Sequence, residues 1–145
     1  MPEAIRVLAF DFGKKRIGTA LGNTLTATAS PLETLSCNYP DLPWPAIDEL
    51  MTSWAPTLLL LGLPQTDDGK PSSMEKPIRR FAAQLQKRYD TPVEFVNEAF
   101  TSHEAETRLK RQRQQGRKQR VSKNEIDRLA AAVIVETWLE NHGTT

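Results

Sequence analysis

Three acidic residues stand where a folded chain has little use for a charge. Asp11 closes the apolar run IRVLAFDF (5–12) and, counted with a period of two, extends the row Ile5, Val7, Ala9. Glu98 lies near the end of a second β-prone run, PVEFVNEAF (92–100), in the row of Val96. Asp127 falls in a helical segment; at about 100° per residue it projects between Ile134 and Trp138. That direction lies inside the apolar face made by Ile126, Leu129, Ala130, Val133, Ile134, Thr137 and Trp138. Singly, each acid has a plain structural reading. Asp11 and Glu98 read as solvated strand ends, and Asp127 as half of an ion pair with one of the arginines. An unpaired charge on a packing face costs several kcal/mol, so Asp127 needs a partner of some kind.

Together the acids admit a chemical reading. If the strands of Asp11 and Glu98 are parallel neighbours in the sheet centre, their C-terminal ends share one edge, where ligands collect in open α/β sheets. Three carboxylates converging there without cations between them repel and raise one another's pKa. Mg²⁺ relieves this, because it prefers oxygen ligands and binds one or two carboxylates together with substrate phosphate. Two such ions about 3.5–4 Å apart activate water and stabilise the leaving oxygen in phosphodiester cleavage. The three acids therefore spell a metal nuclease site.

The elements that must position them follow from apolar periodicity. Residues 5–12, 16–23 and 25–35 read as a three-strand antiparallel meander, turned first at Gly13–Lys15. CNYPDLPWP is a loop, since its three prolines forbid regular structure, and a helix spans about 44–54. TLLLLGLP (57–64) is a buried strand. A helix over about 73–89 carries Ile78, Phe81, Ala82 and Leu85 at helical spacing, and 92–100 is the fifth strand. A helix over about 102–112, a basic tract and a last helix over about 123–140 follow, the last opened by a Ser122–Glu125 capping box. This order predicts an α/β fold: one domain over 1–145 with a five-stranded mixed sheet, meander plus parallel strands, and helices on both faces.

Bulk composition narrows the class. The 145 residues are 39% hydrophobic and 26% charged, ordinary values for a globular chain. The single cysteine, Cys37, excludes an internal disulfide and a cysteine-built zinc site. MPEAIRVLAF lacks the pattern of a signal peptide, and no run reaches the roughly 20 apolar residues that span a bilayer, so a cytoplasmic location is expected. The 19 cations nearly balance 18 anions, but unevenly: RLKRQRQQGRKQRVSK (108–123) holds eight cations and no acid. With Gly116 and four glutamines, the tract reads as a mobile loop over about 112–121. A basic loop beside a carboxylate cluster suits a polyanion, with Lys110, Arg111, Arg113, Arg117, Lys118 and Arg120 as phosphate contacts. Lys14, Lys15 and Arg16, directly after the Asp11 turn, are further candidates. No aromatic interleaves with the tract, and core packing is the expectation for Phe12 and Phe100. Asp67 and Asp68 read first as a plain turn before Gly69 and only second as members of the metal shell, and His103 is a minor candidate for proton transfer.

DFGKKRIGTALGN, GLP at 62–64, NEAFTS at 97–102 and EIDRLAA at 125–131 occur in the order and spacing of the YqgF family. The chain resembles these Holliday-junction-resolvase-like proteins, also described as pre-16S ribosomal RNA nucleases, from about residue 5 to 140. The resemblance implies a ribonuclease-H-like fold and a nuclease using Mg²⁺ or Mn²⁺, with the family's carboxylates falling on Asp11, Glu98 and Asp127. It implies a cytoplasmic role at the 5′ end of pre-16S ribosomal RNA, or cleavage of branched DNA, by a monomer or weak homodimer. Phe12 departs from the family's small residue or proline, and Asn97 and Ala99 replace an acid and an arginine. A protein kinase is excluded, for want of a Gly-rich loop and of length for two lobes. A sugar-kinase or chaperone-type ATPase needs two such domains and has no use for the basic tract. A catalytically inactive RNA-binding module of the same fold is the remaining alternative.

Overall fold

The structure is a computed structural model that describes residues 5–64, 72–97 and 123–142. Strand β1 (Arg6–Phe12) turns into β2 (Arg16–Asn23), which turns into β3 (Thr28–Ser36). Helix α1 (Trp44–Trp54), strand β4 (Leu58–Leu63), helix α2 (Glu75–Tyr89), strand β5 (Val93–Asn97) and helix α3 (Lys123–His142) complete the described elements. β3 starts three residues later than its composition suggests. The Asn23 side-chain oxygen accepts the Leu25 and Thr26 backbone N–H groups at 2.8 and 3.4 Å, which makes residues 24–27 a turn. The expected helix over 102–112 lies outside the described residues, as does Ser122 of the capping box.

The five strands are ordered β3-β2-β1-β4-β5, antiparallel across β3-β2-β1 and parallel across β1-β4-β5. The sheet is thus mixed, as the element order predicts. The expected neighbourhood of β1 and β5 is corrected: β4 lies between them and β5 is outermost. The reason is in the side chains. Leu59, Leu60 and Leu61 are fully buried, so β4 needs a covered position on both faces. β5 leaves Glu94 and Phe95 exposed, which an outer strand tolerates.

Alternation along the strands makes two cores. Leu8, Phe10, Phe12, Ile17, Leu59 and Leu61 face α1 and α2, meeting Ile47, Leu50, Ile78, Phe81 and Leu85. Val7, Ala9, Ala20, Leu60 and Val96 face α3. The α3 stripe is wider than its periodicity predicts: Ala130 to Val135 are buried without interruption, followed by Trp138 and Leu139. Small residues on β2 explain this. A Cβ added at Gly22 would lie 2.4 Å from Cγ1 of Val135, so the helix sits in the space a side chain would fill. Trp138 Nε1 then donates to Glu94 Oε2 at 2.7 Å, tying α3 to β5.

On the opposite face, α1 and α2 are clamped by charge. Arg88 donates from Nε and Nη2 to the two carboxylate oxygens of Asp48 at 2.9 and 2.7 Å, and Tyr89 Oη donates to Oδ1 at 2.5 Å. These bonds to Arg88, then to Tyr89, lower the Asp48 pKa to about 2. Burial and then the Asp48 carboxylate push the Tyr89 phenol up. Among the described residues no helix is long and apolar enough to cross a membrane.

Candidate active site

Asp11 is the penultimate residue of β1 and pairs directly with Gly18 of β2. Residues opposed in an antiparallel ladder project to the same face, so Asp11 and Gly18 both look toward α3. A Cβ on Gly18 would stand 2.1 Å from the backbone carbonyl oxygen of Asp127. Glycine is therefore the residue that lets the start of α3 press onto the sheet beside Asp11. Asp127 stands one turn before Ala131 and two before Ile134, both fully buried on the sheet-facing side. Its predicted direction is the one the structure adopts.

The turn between β1 and β2 completes the surroundings. Gly13 meets the Arg16 carbonyl so closely that an added Cβ would lie 2.7 Å from the oxygen. The turn is braced from outside the hairpin: Cys37 N–H donates to the Lys15 carbonyl at 2.9 Å and Tyr39 N–H to that of Lys14 at 3.2 Å. Burial, partly offset by a backbone contact with Tyr39, pushes the Cys37 thiol up, which keeps it protonated and inert. Phe12 points away from the site into the α1/α2 core. Its ring lies edge-on to Tyr39 at 5.9 Å and tilted on Phe81 at 5.2 Å, so its role is packing.

Asp11, Asp127 and the residues from Phe12 to Arg16 line one cavity of about 390 Å³. Two of the three predicted carboxylates and all three predicted turn cations thus meet in one place. The structural reading of Asp127, half of an ion pair with an arginine, is the one the structure shows. Arg16 Nε donates to Asp127 Oδ2 at 2.8 Å, with side-chain exposures of 35% and 21%. Arg16 leans into the site because even-numbered residues of β2 face α3, the same alternation that points Gly18 and Ala20 there. Lys14 sets its ammonium 5.7 Å above the Tyr39 ring, on the rim. Glu98, Asp67, Asp68, His103, Phe100 and the tract residues Lys110, Arg111, Arg113, Arg117, Lys118 and Arg120 lie outside the described residues. Among the described residues no three His, Cys, Asp or Glu side chains are grouped to hold a metal. Gly18 and Tyr39 are the positioning residues that sequence reasoning missed. The small-residue alternation Gly18, Ala20, Gly22 signals the first, and nothing local signals the second.

Comparisons with known proteins agree with this architecture. Curated relatives named "putative pre-16S rRNA nuclease" include one from Dechloromonas aromatica, 41% identical over 93% of this chain and 90% of that protein. Another, from Legionella pneumophila, is 41% identical over 97% and 98%. A third, from Xanthomonas axonopodis pv. citri, is 43% identical over 96% and 94%. Among solved structures, Thermus thermophilus RuvC in complex with a Holliday junction substrate aligns with a TM-score of 0.56 at 14% identity. That alignment covers 97% of this chain and 98% of the other. The fowlpox virus Holliday junction resolvase aligns at 0.52 and 13%, covering 94% and 99%. At such identities these matches show the fold, which is ribonuclease-H-like. Residues 5–141 match the RuvX family, described as Holliday junction resolvase, and to that family this chain belongs.

Proposed function

We propose that this chain is a divalent-metal-dependent nuclease that processes the 5′ end of pre-16S ribosomal RNA, with Asp11, Glu98 and Asp127 as its catalytic carboxylates. The observation that carries the reading is the shared cavity. There Asp11, at the end of a central strand, and Asp127, early in α3, face the cationic turn of Lys14, Lys15 and Arg16. Side chains so far apart in sequence gain nothing in packing from opening onto one solvent-filled hollow. Glu98 joins them on a sequence argument, standing two residues past Val96, which faces α3.

The donors suit a hard cation, since the acids lining the cavity offer carboxylate oxygens and, among the described residues, neither thiolate nor imidazole lines it. Bound Mg²⁺ or Mn²⁺ supplies the charge that activates water and steadies the departing oxygen. The chain's own residues do the rest. Asp11 and Asp127 would hold that cation at the sheet edge, and through it the phosphate that their own charges repel. Lys14 and Lys15 draw in the phosphate backbone, which fixes its position without reading its bases. The basic tract extends this attraction along the strand. Ribosomal RNA as substrate, and with it a cytoplasmic location, comes from the relatives' names, at about 41% identity along almost the whole chain. A second reading, cleavage of DNA junctions, is favoured by the family's description and requires two copies of the chain acting together.

The test is cleavage, with Mg²⁺, of a 16S precursor carrying its 5′ leader and of a four-way DNA junction. The expected result is a cut RNA, with activity falling about a hundredfold or more in Asp11→Asn. Cutting of the junction alone would move the assignment to the resolvase. Binding of RNA without cleavage of either substrate would replace the nuclease with an RNA-binding module.

A further inference from the structure

The Arg16–Asp127 ion pair is an odd contact for a catalytic site. It commits an oxygen of a proposed metal-binding carboxylate to a guanidinium, at 2.8 Å, with both side chains largely covered. It is also easily exchanged. Arg16 is about a third exposed, stands at the first residue of β2 beside the turn, and lines the same cavity as Lys14 and Lys15. The arginine end of this part-buried pair is partly open to water, so the pair is worth on the order of 1 kcal/mol, little enough for a divalent cation to displace. Asp127 itself is held in place by backbone packing against Gly18, so it does not follow the arginine when the pair opens.

We infer that Arg16 is a phosphate-binding residue kept in reserve: it neutralises Asp127 while the carboxylate carries no metal, and turns to a substrate phosphate once a divalent cation takes its place. The inference rests on the nuclease reading of the cavity and names what that reading leaves open, the order in which metal and nucleic acid engage. Arg16 has one guanidinium and two anionic partners that it serves in turn. Metal loading and nucleic-acid binding at this site are therefore coupled, each strengthening the other by the same factor.

The experiment uses the full chain and a single-stranded RNA oligonucleotide. Affinity is measured over a range of salt, once in EDTA and once in Ca²⁺, a cation of similar oxygen preference. Each phosphate contact to a single strand contributes about 0.7 to the slope of log affinity against log salt. The expected result is that Arg16→Met leaves the slope at its wild-type value in EDTA and lowers it by about 0.7 in Ca²⁺. Arg16→Lys keeps both the charge and most of the Ca²⁺ response, and checks that the loss in Arg16→Met is not misfolding. An equal change in both conditions makes Arg16 a permanent phosphate contact and overturns the inference. No change in either makes the ion pair purely structural and overturns it as well.

A parallel titration with Mn²⁺ separates this inference from the reading beneath it. Wild-type protein should bind the ion, Arg16→Met should bind it about two- to fivefold more tightly, and Asp127→Asn weakly or not at all. Equal or weaker binding by Arg16→Met, with Asp127→Asn still defective, overturns the reserve role and leaves the site standing. Binding that is indifferent to Asp127→Asn overturns the metal site and the inference together.

Discussion

Phe12 and Arg16, four residues apart on either side of one turn, divide the work of the site between them. Phe12 adjoins Asp11 but points to the other face, where it is 6% exposed between Tyr39 and Phe81. Phe12→Ala should destabilise the protein by about 3–5 kcal/mol in urea unfolding, the usual cost of emptying an aromatic site. Phe12→Leu should cost far less and leave RNA affinity unchanged, which distinguishes packing from base stacking. Asp11 and Asp127 were legible in the sequence because each breaks a periodic apolar row that is otherwise continuous. Arg16 was legible as a cation beside the Asp11 turn and Asp127 as half of an ion pair, yet the bond between them spans 111 residues, and no local pattern encodes that choice.

Between elements, the seat of α3 on β2 is the critical contact. A methyl at Gly18 collides with the Asp127 carbonyl, a backbone atom that cannot move alone. Gly18→Ala should therefore shift the start of α3, cost about 1–3 kcal/mol, and reduce cleavage more than stability alone explains. Melting temperature and kcat, measured together, check this. On the other face, the clamp joining α1 to α2 depends on pH. Folding lowers the Asp48 pKa from 3.8 to about 2, so between those values the unfolded chain holds more protons. Its contribution is complete above about pH 4 and disappears as pH falls through 2. Melting curves of wild type and Asp48→Asn should differ at pH 7 and converge toward pH 2. Strand and helix limits near these contacts followed closely from apolar periodicity. Strand order did not, because it depends on which strand most needs cover on both faces, a comparison between distant segments.

For the whole molecule, charge is segregated. Outside residues 108–123 the chain has 11 cations against 18 anions, so attraction to a polyanion should come from that tract and from the turn at Lys14–Arg16. Neutralising Lys110, Arg111, Arg113, Arg117, Lys118 and Arg120 should weaken RNA binding across all sequences and flatten its salt dependence by up to about 0.7 per lost contact. An unchanged slope, measured by fluorescence anisotropy, would remove the tract from the interface.

The covering of the sheet also sets an order in time. Among the described residues α3 is the one helix on its face, packed over Val7, Ala9, Ala20, Leu60 and Val96. A ribosome makes α3 after all five strands, so each growing chain passes through a stage with that apolar face bare and Asp127 still unmade. The half-made protein thus exposes an apolar surface that the finished one covers, and Arg16 waits 111 residues for its partner.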